Sequence, residues 1–255
     1  MTTALTGASI LEEQLRGEAP AVVPYLTAGF PTMARFAGAL TEVAAVSEAV
    51  EIGIPFSDPM ADGTTIQESS RVALEGGATL EAVLATLEGL PGLAVPLVVM
   101  SYLNPLMAYG YQRLLPRLEA AGVAALVVPD LPLEESGGLR DVARRSGIGL
   151  VQLVTPVTDD PRLRLLGSAS EGFTYAVTMT GTTGGSALVG SGVGVYLDRV
   201  RSVAKTPVLA GFGVRSADQV RSLVSHCDGV IVGSALVEVL GRGDDPVAFL
   251  TGLRP

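Results

Sequence analysis

The sequence Val50-Glu-Ile-Gly-Ile-Pro-Phe-Ser-Asp-Pro-Met-Ala-Asp-Gly-Thr-Thr-Ile-Gln67 contains, in succession, a strand, a loop and the start of a helix. Its apolar residues are typical of a buried parallel strand, predicted over Ala49–Ile54. Proline and glycine punctuate the loop that follows, and apolar residues at helical spacing then predict a helix over Thr65–Glu75. Strand, loop and helix in this order form the repeating unit of a parallel α/β fold.

Similar units recur along the chain. Strands are predicted over Ala21–Thr27, Ala49–Ile54, Val95–Tyr102, Ala124–Val128, Gly149–Val154, Thr174–Thr178, Val208–Gly211 and Gly229–Val232. Helices are predicted over Met33–Val46, Thr65–Glu75, Leu80–Leu90, Tyr111–Ala121, Glu134–Ser146, Pro161–Ser168, Val195–Ala204, Ala217–Val224 and Pro246–Leu253. Eight strand–helix repeats in 255 residues predict a single (β/α)8 TIM barrel over residues 1–255, with short extra helices. A doubly wound sheet, the main alternative, usually has fewer strands and one dominant glycine-rich first turn, whereas the glycine-rich turns here come late.

Composition argues against several classes of protein. With 48% hydrophobic and 17% charged residues, the chain is expected to be globular, and no apolar run reaches the about 20 residues of a membrane helix. A net charge of −9 disfavours a nucleic-acid partner. The single Cys227 and the single His226 argue against a disulfide, a multi-cysteine zinc site and a histidine-dependent triad. The first residues lack a signal-peptide pattern, so a cytoplasmic location is expected.

Two carboxylates stand out in the quoted stretch. Glu51 lies inside the apolar strand, and Asp62 lies on the loop eleven positions later. A buried carboxylate is costly unless it is protonated, paired or used in chemistry. Strand ends and the loops after them form the active-site face of a barrel. The pattern therefore predicts general acid/base catalysis, with the higher pKa at Glu51 and an ionised Asp62.

Glycine-rich turns follow the seventh and eighth predicted strands, in Gly211-Phe-Gly-Val-Arg-Ser216 and Gly229-Val-Ile-Val-Gly-Ser-Ala235. Loops at these two positions commonly bind phosphate in such barrels, and their backbone N–H groups need no lysine cluster. Either loop alone could simply be a tight turn, but the two together favour a phosphorylated small-molecule substrate. The Gly/Ser/Thr-rich stretch Met179–Gly194 is a candidate lid beside this site.

Several blocks together carry a family resemblance. They are Pro24–Gly29, Val50–Gln67, Tyr102–Pro105, Val128–Pro132, Phe173–Tyr175, Gly181–Gly184, Gly211–Val214 and Gly229–Ser234. In these blocks, and in their order, the chain closely resembles the tryptophan synthase alpha chain. The block that contains Glu51 and Asp62 is the most specific, whereas the glycine blocks alone would fit many phosphate-binding barrels.

The resemblance implies a retro-aldol cleavage of indole-3-glycerol phosphate to indole and glyceraldehyde 3-phosphate. Glu51 matches the residue that protonates C3 of the indole ring and then takes the proton of the departing side chain's hydroxyl. Asp62 matches the residue that interacts with the indole N–H and stabilises the developing positive charge.

The same resemblance assigns the other site residues. The indole pocket corresponds to Tyr25, Tyr102, Tyr175 and Phe212, the lid threonine to Thr183, and the phosphate site to Gly184, Gly213, Gly233 and Ser234. Surfaces facing a beta chain correspond to Pro55, Asp58, Asn104 and Pro105. The implied partner is a pyridoxal-phosphate beta chain in an alpha2beta2 heterotetramer that receives the indole. No cofactor and no metal are expected on this chain itself.

Three positions depart from the family pattern. Thr64 stands where a proline is usual, Thr182 replaces a valine in the lid, and Met179 replaces an arginine early in the lid. These changes leave both acids in place but bear on lid closure and on coupling to the partner. Three alternatives stay open: a stand-alone lyase that releases free indole, a non-catalytic subunit that activates the beta chain, and a phosphate-binding barrel isomerase. Retention of Glu51 and Asp62 disfavours the second.

Overall fold

In the computed structural model, which describes residues 5–90, 92–178, 192–211 and 213–254, eight parallel strands close into a barrel in the order of the sequence. The strands are β1 (Ala21–Thr27), β2 (Val50–Gly53), β3 (Leu97–Met100), β4 (Val123–Val127), β5 (Gly149–Val154), β6 (Thr174–Val177), β7 (Val208–Gly211) and β8 (Gly229–Val232). The helices in the described ranges are α1 (Gly7–Leu15), α2 (Met33–Ala44), α3 (Thr64–Glu75), α4 (Leu80–Gly89), α5 (Leu103–Tyr109), α6 (Tyr111–Ala120), α7 (Gly137–Arg145), α8 (Asp160–Ala169), α9 (Val193–Arg201), α10 (Ala217–Leu223), α11 (Ser234–Arg242) and α12 (Pro246–Leu253), with a short 3-10 helix at Leu133–Glu135. The predicted (β/α)8 barrel is confirmed.

The predicted helix over Glu134–Ser146 is divided in the structure. A 3-10 turn ends at Glu135, and α7 begins only at Gly137. The break falls at Ser136, whose backbone N–H and hydroxyl both donate to the carbonyl oxygen of Leu133 and so close the 3-10 turn. The two glycines that follow are weak helix formers and do not favour a continuous helix across this point. The helices α1, α5 and α11 were not among those predicted individually, and they are the short extra helices of this barrel.

Alternation along β2 decides which side chains enter the barrel. Val50 and Ile52 pack outward against the surrounding helices, whereas Ala49 belongs to the cluster that fills the barrel interior. Because side chains alternate along a strand, Glu51 lies on the same inner face as Ala49. The β1–β2 register pairs Tyr25 with Glu51, so the acid lies beside an aromatic residue of the neighbouring strand.

The helix α1 closes the end of the barrel where the strands begin. Leu11 and Leu15 are fully buried in the interior cluster. At Gly7, an added Cβ would lie 3.1 Å from the Cα of Ala124 and 3.2 Å from the carbonyl oxygen of Gly147, so this glycine lets the helix approach the barrel backbone closely. The opposite end, where the strands finish, carries the Asp62 loop and the glycine-rich turns that follow β7 and β8.

Three carboxylates tie neighbouring strands together at the closed end, and we call them the base clasps: Glu48, Glu171 and Asp228. Each lies just before an even-numbered strand and accepts a hydrogen bond from a backbone N–H near the start of the preceding strand. The N–H donors belong to Val22 of β1, Leu150 of β5 and Val208 of β7, at 2.8, 3.0 and 2.7 Å respectively. Each clasp also pairs with an arginine, namely Arg254, Arg144 and Arg201. The clasps therefore satisfy backbone groups that the strand ladder leaves unpaired.

Candidate active site

Glu51 lies in the barrel interior on β2. Only 1% of its surface is exposed, and neither carboxyl oxygen has a hydrogen-bond partner among the described residues. Burial, and secondarily the charge of Asp62, raise the pKa of Glu51 to about 8. The side chain is therefore protonated at neutral pH and has a proton to donate.

Asp62 lies on the loop that joins β2 to α3. Its side chain is buried, and burial raises its pKa to about 6, while a hydrogen bond from the Tyr102 hydroxyl acts in the opposite direction. At neutral pH this carboxyl group is mostly ionised. The structure thus places a protonated acid and an ionised acid close enough for their charges to interact, and the order of their pKa values is the one predicted from sequence.

The backbone of the Asp62 loop is held at several points. The Tyr102 hydroxyl accepts a hydrogen bond from the N–H of Ala61 at 2.9 Å, and the Gln67 side chain donates to the carbonyl oxygen of Asp62 at 2.8 Å. The ring of Tyr102 also packs on Phe56, with ring centroids 5.3 Å apart. Nothing in the sequence alone assigns a role to Gln67, although it ends the most specific block of the chain. Its place on the first turn of α3 directs its amide back to the loop.

Two glycines make room for two buried tyrosine rings at the open end of the barrel. A Cβ at Gly53 would lie 1.9 Å from the hydroxyl oxygen of Tyr25, and a Cβ at Gly211 would lie 2.4 Å from the ring of Tyr175. Both tyrosines are more than nine-tenths buried, and burial is the main cause of their raised pKa values. An ionised Glu51 contributes to the raised pKa of both hydroxyls, so both phenols lie near the buried acid.

The candidate phosphate residues Gly213 and Gly233 follow neighbouring strands. The register pairs Gly211 of β7 with Ile231 of β8, and each glycine comes two residues after its strand's paired residue. Gly213 has a φ of +81°, which favours glycine, and Gly233 precedes α11, which begins at Ser234. The first amides of a helix have no intrahelical acceptor, so α11 presents free N–H groups next to the β7 loop.

Some of the predicted positions lie outside the described residues: Phe212, Thr183, Gly184 and the lid positions Met179 and Thr182. Among the residues predicted to face a partner, Asp58 and Asn104 are exposed, Pro105 is partly exposed and Pro55 is buried. Two apolar residues near them in the sequence, which no motif marks, are also exposed: Met60 at 85% and Met107 at 59%.

Two further features, a metal centre and a membrane-spanning helix, are absent from the described ranges. No group of three or more His, Cys, Asp or Glu side chains there is arranged to hold a metal ion. None of the helices in those ranges is long and apolar enough to span a bilayer.

Comparison with known proteins identifies the family. The model of the family described as "Tryptophan synthase alpha chain" matches residues 11–249. The chain belongs to the tryptophan synthase alpha chain family. The tryptophan synthase alpha chain of Desulfovibrio desulfuricans is 40% identical over 250 residues, which cover 95% of this chain and 98% of the relative. This family consists of lyases that cleave indole-3-glycerol phosphate.

Solved structures agree with this assignment. The structure of Mycobacterium tuberculosis tryptophan synthase superposes with a TM-score of 0.88 at 32% identity, covering 98% of this chain and 97% of that chain. The tryptophan synthase A-subunit of Pyrococcus furiosus superposes with a TM-score of 0.83 at 33% identity, covering 92% of this chain and 98% of that chain.

The geometry also shows how this chain accommodates Thr64, where the family resemblance leads us to expect a proline. Gly63 is the N-cap of α3, and Thr64 is its first helical residue. Proline is favoured at that position because its fixed φ suits a helix start and its missing N–H would have no intrahelical acceptor. Threonine at the same place keeps the helix start, so Asp62 remains two residues before α3.

Proposed function

We propose that Glu51 and Asp62 perform the lyase reaction of this family member as a pair with divided roles. The observation that carries the proposal is the pairing of a buried, protonated Glu51 with a mostly ionised Asp62 at the open end of the barrel. Indole is a poor carbanion leaving group, so its C3 must be protonated before the carbon–carbon bond breaks. Glu51 has the available proton, and Asp62 has the negative charge that stabilises the resulting cation at the indole nitrogen.

The proton returns to Glu51 within the same cycle. Once C3 is protonated, Glu51 is a carboxylate and takes the proton of the hydroxyl on the glycerol side chain. The electrons of that O–H bond form the aldehyde C=O, and those of the breaking C–C bond restore the indole ring. Indole and glyceraldehyde 3-phosphate leave, and Glu51 ends the cycle protonated. Neither a cofactor nor a metal takes part in this scheme.

The remaining residues bind the two ends of the substrate. Tyr25, Tyr102 and Tyr175 present flat aromatic rings to the indole, and Gly213, Gly233 and Ser234 offer backbone N–H groups to the phosphate. The family resemblance adds Phe212 to the first group and Gly184 to the second. Thr183 on the lid would contact Asp62 when the site closes.

We further propose that a pyridoxal-phosphate beta chain docks at the open end of the barrel and receives the indole. Asp58 lies on the loop after β2, and Asn104 and Pro105 lie on the first turn of α5, at the same end. The exposed Met60 and Met107 add apolar surface beside them. Apolar and polar side chains in one patch suit a protein partner. Pro55, which is buried, would then support the docking loop from below.

The test is indole release by purified variants at saturating indole-3-glycerol phosphate, with and without a beta chain. We expect Glu51→Gln to abolish turnover, because the amide cannot donate the proton, and Asp62→Asn to lose at least ~100-fold. Glu68→Gln, on the exposed face of α3, serves as the matched control and should keep normal turnover. Near-normal turnover of the Glu51 variant would refute the acid/base assignment.

The same assay separates the subunit from a stand-alone lyase. Weak activity that rises strongly with the beta chain supports an alpha subunit whose site is completed by its partner. Full activity of the chain alone, unchanged by the beta chain, would support the stand-alone enzyme instead.

A further inference from the structure

An ion pair joins the two loops that carry the candidate phosphate residues. Arg215 follows β7, and its guanidinium donates two hydrogen bonds to the carboxylate of Glu238 on α11, at 2.7 and 2.8 Å. A two-bonded arginine–carboxylate pair has a fixed geometry as well as an attraction. The pair therefore sets the distance between the β7 loop and α11.

The partners of this pair stand close in sequence to the phosphate residues. Arg215 comes two residues after Gly213, and its backbone N–H donates to the Gln219 side chain at 2.7 Å. That glutamine also completes a capping box with Ser216 at the start of α10. Glu238 comes one helical turn after Ser234, where the free amides of α11 lie. The loop with Gly213 is thus attached to α10, and Arg215 links this loop to α11, whose start carries Ser234.

The same carboxylate extends the connection toward the catalytic loop. The Thr65 hydroxyl donates to Glu238 at 3.4 Å, a long hydrogen bond. Thr65 lies on the first turn of α3, three residues after Asp62. Glu238 thus contacts elements that follow β7 and β2, which carry opposite ends of the proposed substrate site.

A purely stabilising surface pair is the plain alternative. The side chains of Arg215 and Glu238 are 49% and 34% exposed, and ion pairs at such exposure stabilise a fold by only about 0–1 kcal/mol. A second alternative is that Arg215 attracts the phosphate directly with its charge. Its two hydrogen bonds to Glu238 argue against the latter, because the guanidinium is already neutralised by a carboxylate.

We propose that Arg215 and Glu238 are positioning residues that hold the β7 loop and the start of α11 at the spacing required by the phosphate of the substrate. This proposal rests on the phosphate site of the proposed function. It assigns to the pair a role in affinity for the phosphate end, not in the proton transfers at Glu51.

The experiment measures the Kd of sn-glycerol 3-phosphate by calorimetry, together with KM and kcat for indole-3-glycerol phosphate, on the full chain. Arg215→Ala and Glu238→Gln are each expected to raise Kd and KM about 3- to 10-fold, corresponding to roughly 1 kcal/mol, with kcat within about twofold. The double variant should bind glycerol 3-phosphate no more weakly than either single variant, because each single substitution already removes the same contact. Arg221→Ala breaks an ion pair confined to α10 and should leave all three constants unchanged.

Glu238→Gln decides between positioning and direct attraction. Loss of positioning weakens phosphate binding, whereas release of the Arg215 charge toward a bound phosphate would tighten it. Tighter binding by this variant, or unchanged binding by both single variants, would overturn the proposal. If the wild-type chain itself does not bind glycerol 3-phosphate, the phosphate site of the proposed function fails instead.

Discussion

At the scale of the residue, the environment of each carboxyl group decides what it can do. Glu51 lies on a strand inside the barrel, without a hydrogen-bond partner in the described part of the chain, and it keeps its proton. Asp62 lies on a loop and accepts a hydrogen bond from the Tyr102 hydroxyl, and its pKa of about 6 is below the value of about 8 for Glu51. Two residues of similar chemistry are thereby fitted for opposite roles.

The raised pKa of Glu51 predicts a particular pH dependence of stability. Between its ordinary value of 4.5 and its folded value of about 8, the folded chain retains a proton that the unfolded chain has released. The free energy of unfolding therefore falls as pH rises through this window, by up to about 1.4 kcal/mol per pH unit from this group. Glu51→Gln removes the effect, so its stability advantage over the wild type should grow across the window and level off above it. Urea unfolding at acid, neutral and alkaline pH measures this, and a constant difference would contradict it.

The close contact between Gly53 and Tyr25 predicts a strong coupling. Gly53→Ala places a methyl group where the Tyr25 ring lies, and we expect it to destabilise the fold by about 1–3 kcal/mol. Combining it with Tyr25→Ala should cost less than the sum of the two single changes, because the clash is then absent. Gly89→Ala, where a Cβ meets nothing within 4 Å, is the matched control and should be neutral or slightly stabilising. Thermal unfolding of the four variants tests this, and additive effects would argue against the contact.

The two acids could be predicted from sequence, and their surroundings could not. Glu51 is recognisable because a charged residue interrupts an apolar strand, which is a local signal. Its tyrosine neighbours come from the resemblance alone, and the bond between Tyr102 and Ala61 joins residues 41 positions apart. No local sequence pattern predicts a contact between residues so far apart in the chain. Only the closed barrel brings the loop and the tyrosine together.

At the scale of the element, strands were predicted better than the short helices. Every predicted strand is present with bounds that shift by a few residues, because buried parallel strands have a distinct apolar pattern. The helix α5 follows β3 after only two residues and contains Pro105, so its sequence is also typical of a loop. The helix α11 starts at Ser234, and its N-cap residue Gly233 has no side chain to cap it, so the usual signal of a helix start is missing.

The base clasp at Asp228 predicts a loss of stability without a loss of function. Asp228→Ala leaves the buried N–H of Val208 without its acceptor, which should cost about 1–3 kcal/mol in the free energy of unfolding. Asp228→Asn retains an acceptor oxygen and should cost less. Asp244→Ala, an exposed acid with an arginine partner, is expected to change stability by less than ~0.5 kcal/mol. Urea unfolding and indole release together test this, and a kcat that falls in parallel with stability would place Asp228 in the function after all.

At the scale of the whole molecule, closure of the barrel separates two tasks. The closed end carries α1 and the base clasps, and the open end carries the acids and the phosphate loops. Residues from β2, β7 and β8, far apart in sequence, reach one site only because these strands belong to one closed ring. The fold class could therefore be predicted from the number of repeats, whereas the distances within the site depend on how the ring closes.

Docking of a beta chain at the open end predicts that a charge on α5 weakens the complex. Met107→Glu should raise the Kd for the beta chain at least about tenfold, because burying an unpaired carboxylate is costly. Indole release by the chain alone should stay unchanged. Ile10→Glu, on α1 at the closed end, is a control of similar chemistry and should leave the Kd unchanged. Analytical ultracentrifugation measures the Kd for the beta chain of both variants, and equal effects of the two substitutions would place the interface elsewhere.

The base clasps also determine where the backbone can be cut without separating hydrogen-bonded partners. They join β1 to β2, β5 to β6 and β7 to β8. A backbone break between β4 and β5 therefore keeps both partners of each carboxylate–backbone hydrogen bond in one fragment, whereas a break between β7 and β8 separates Asp228 from Val208. Fragments cut at the first place should recombine into an intact ring more readily than fragments cut at the second. The same reasoning tells an engineer where new chain termini would be tolerated.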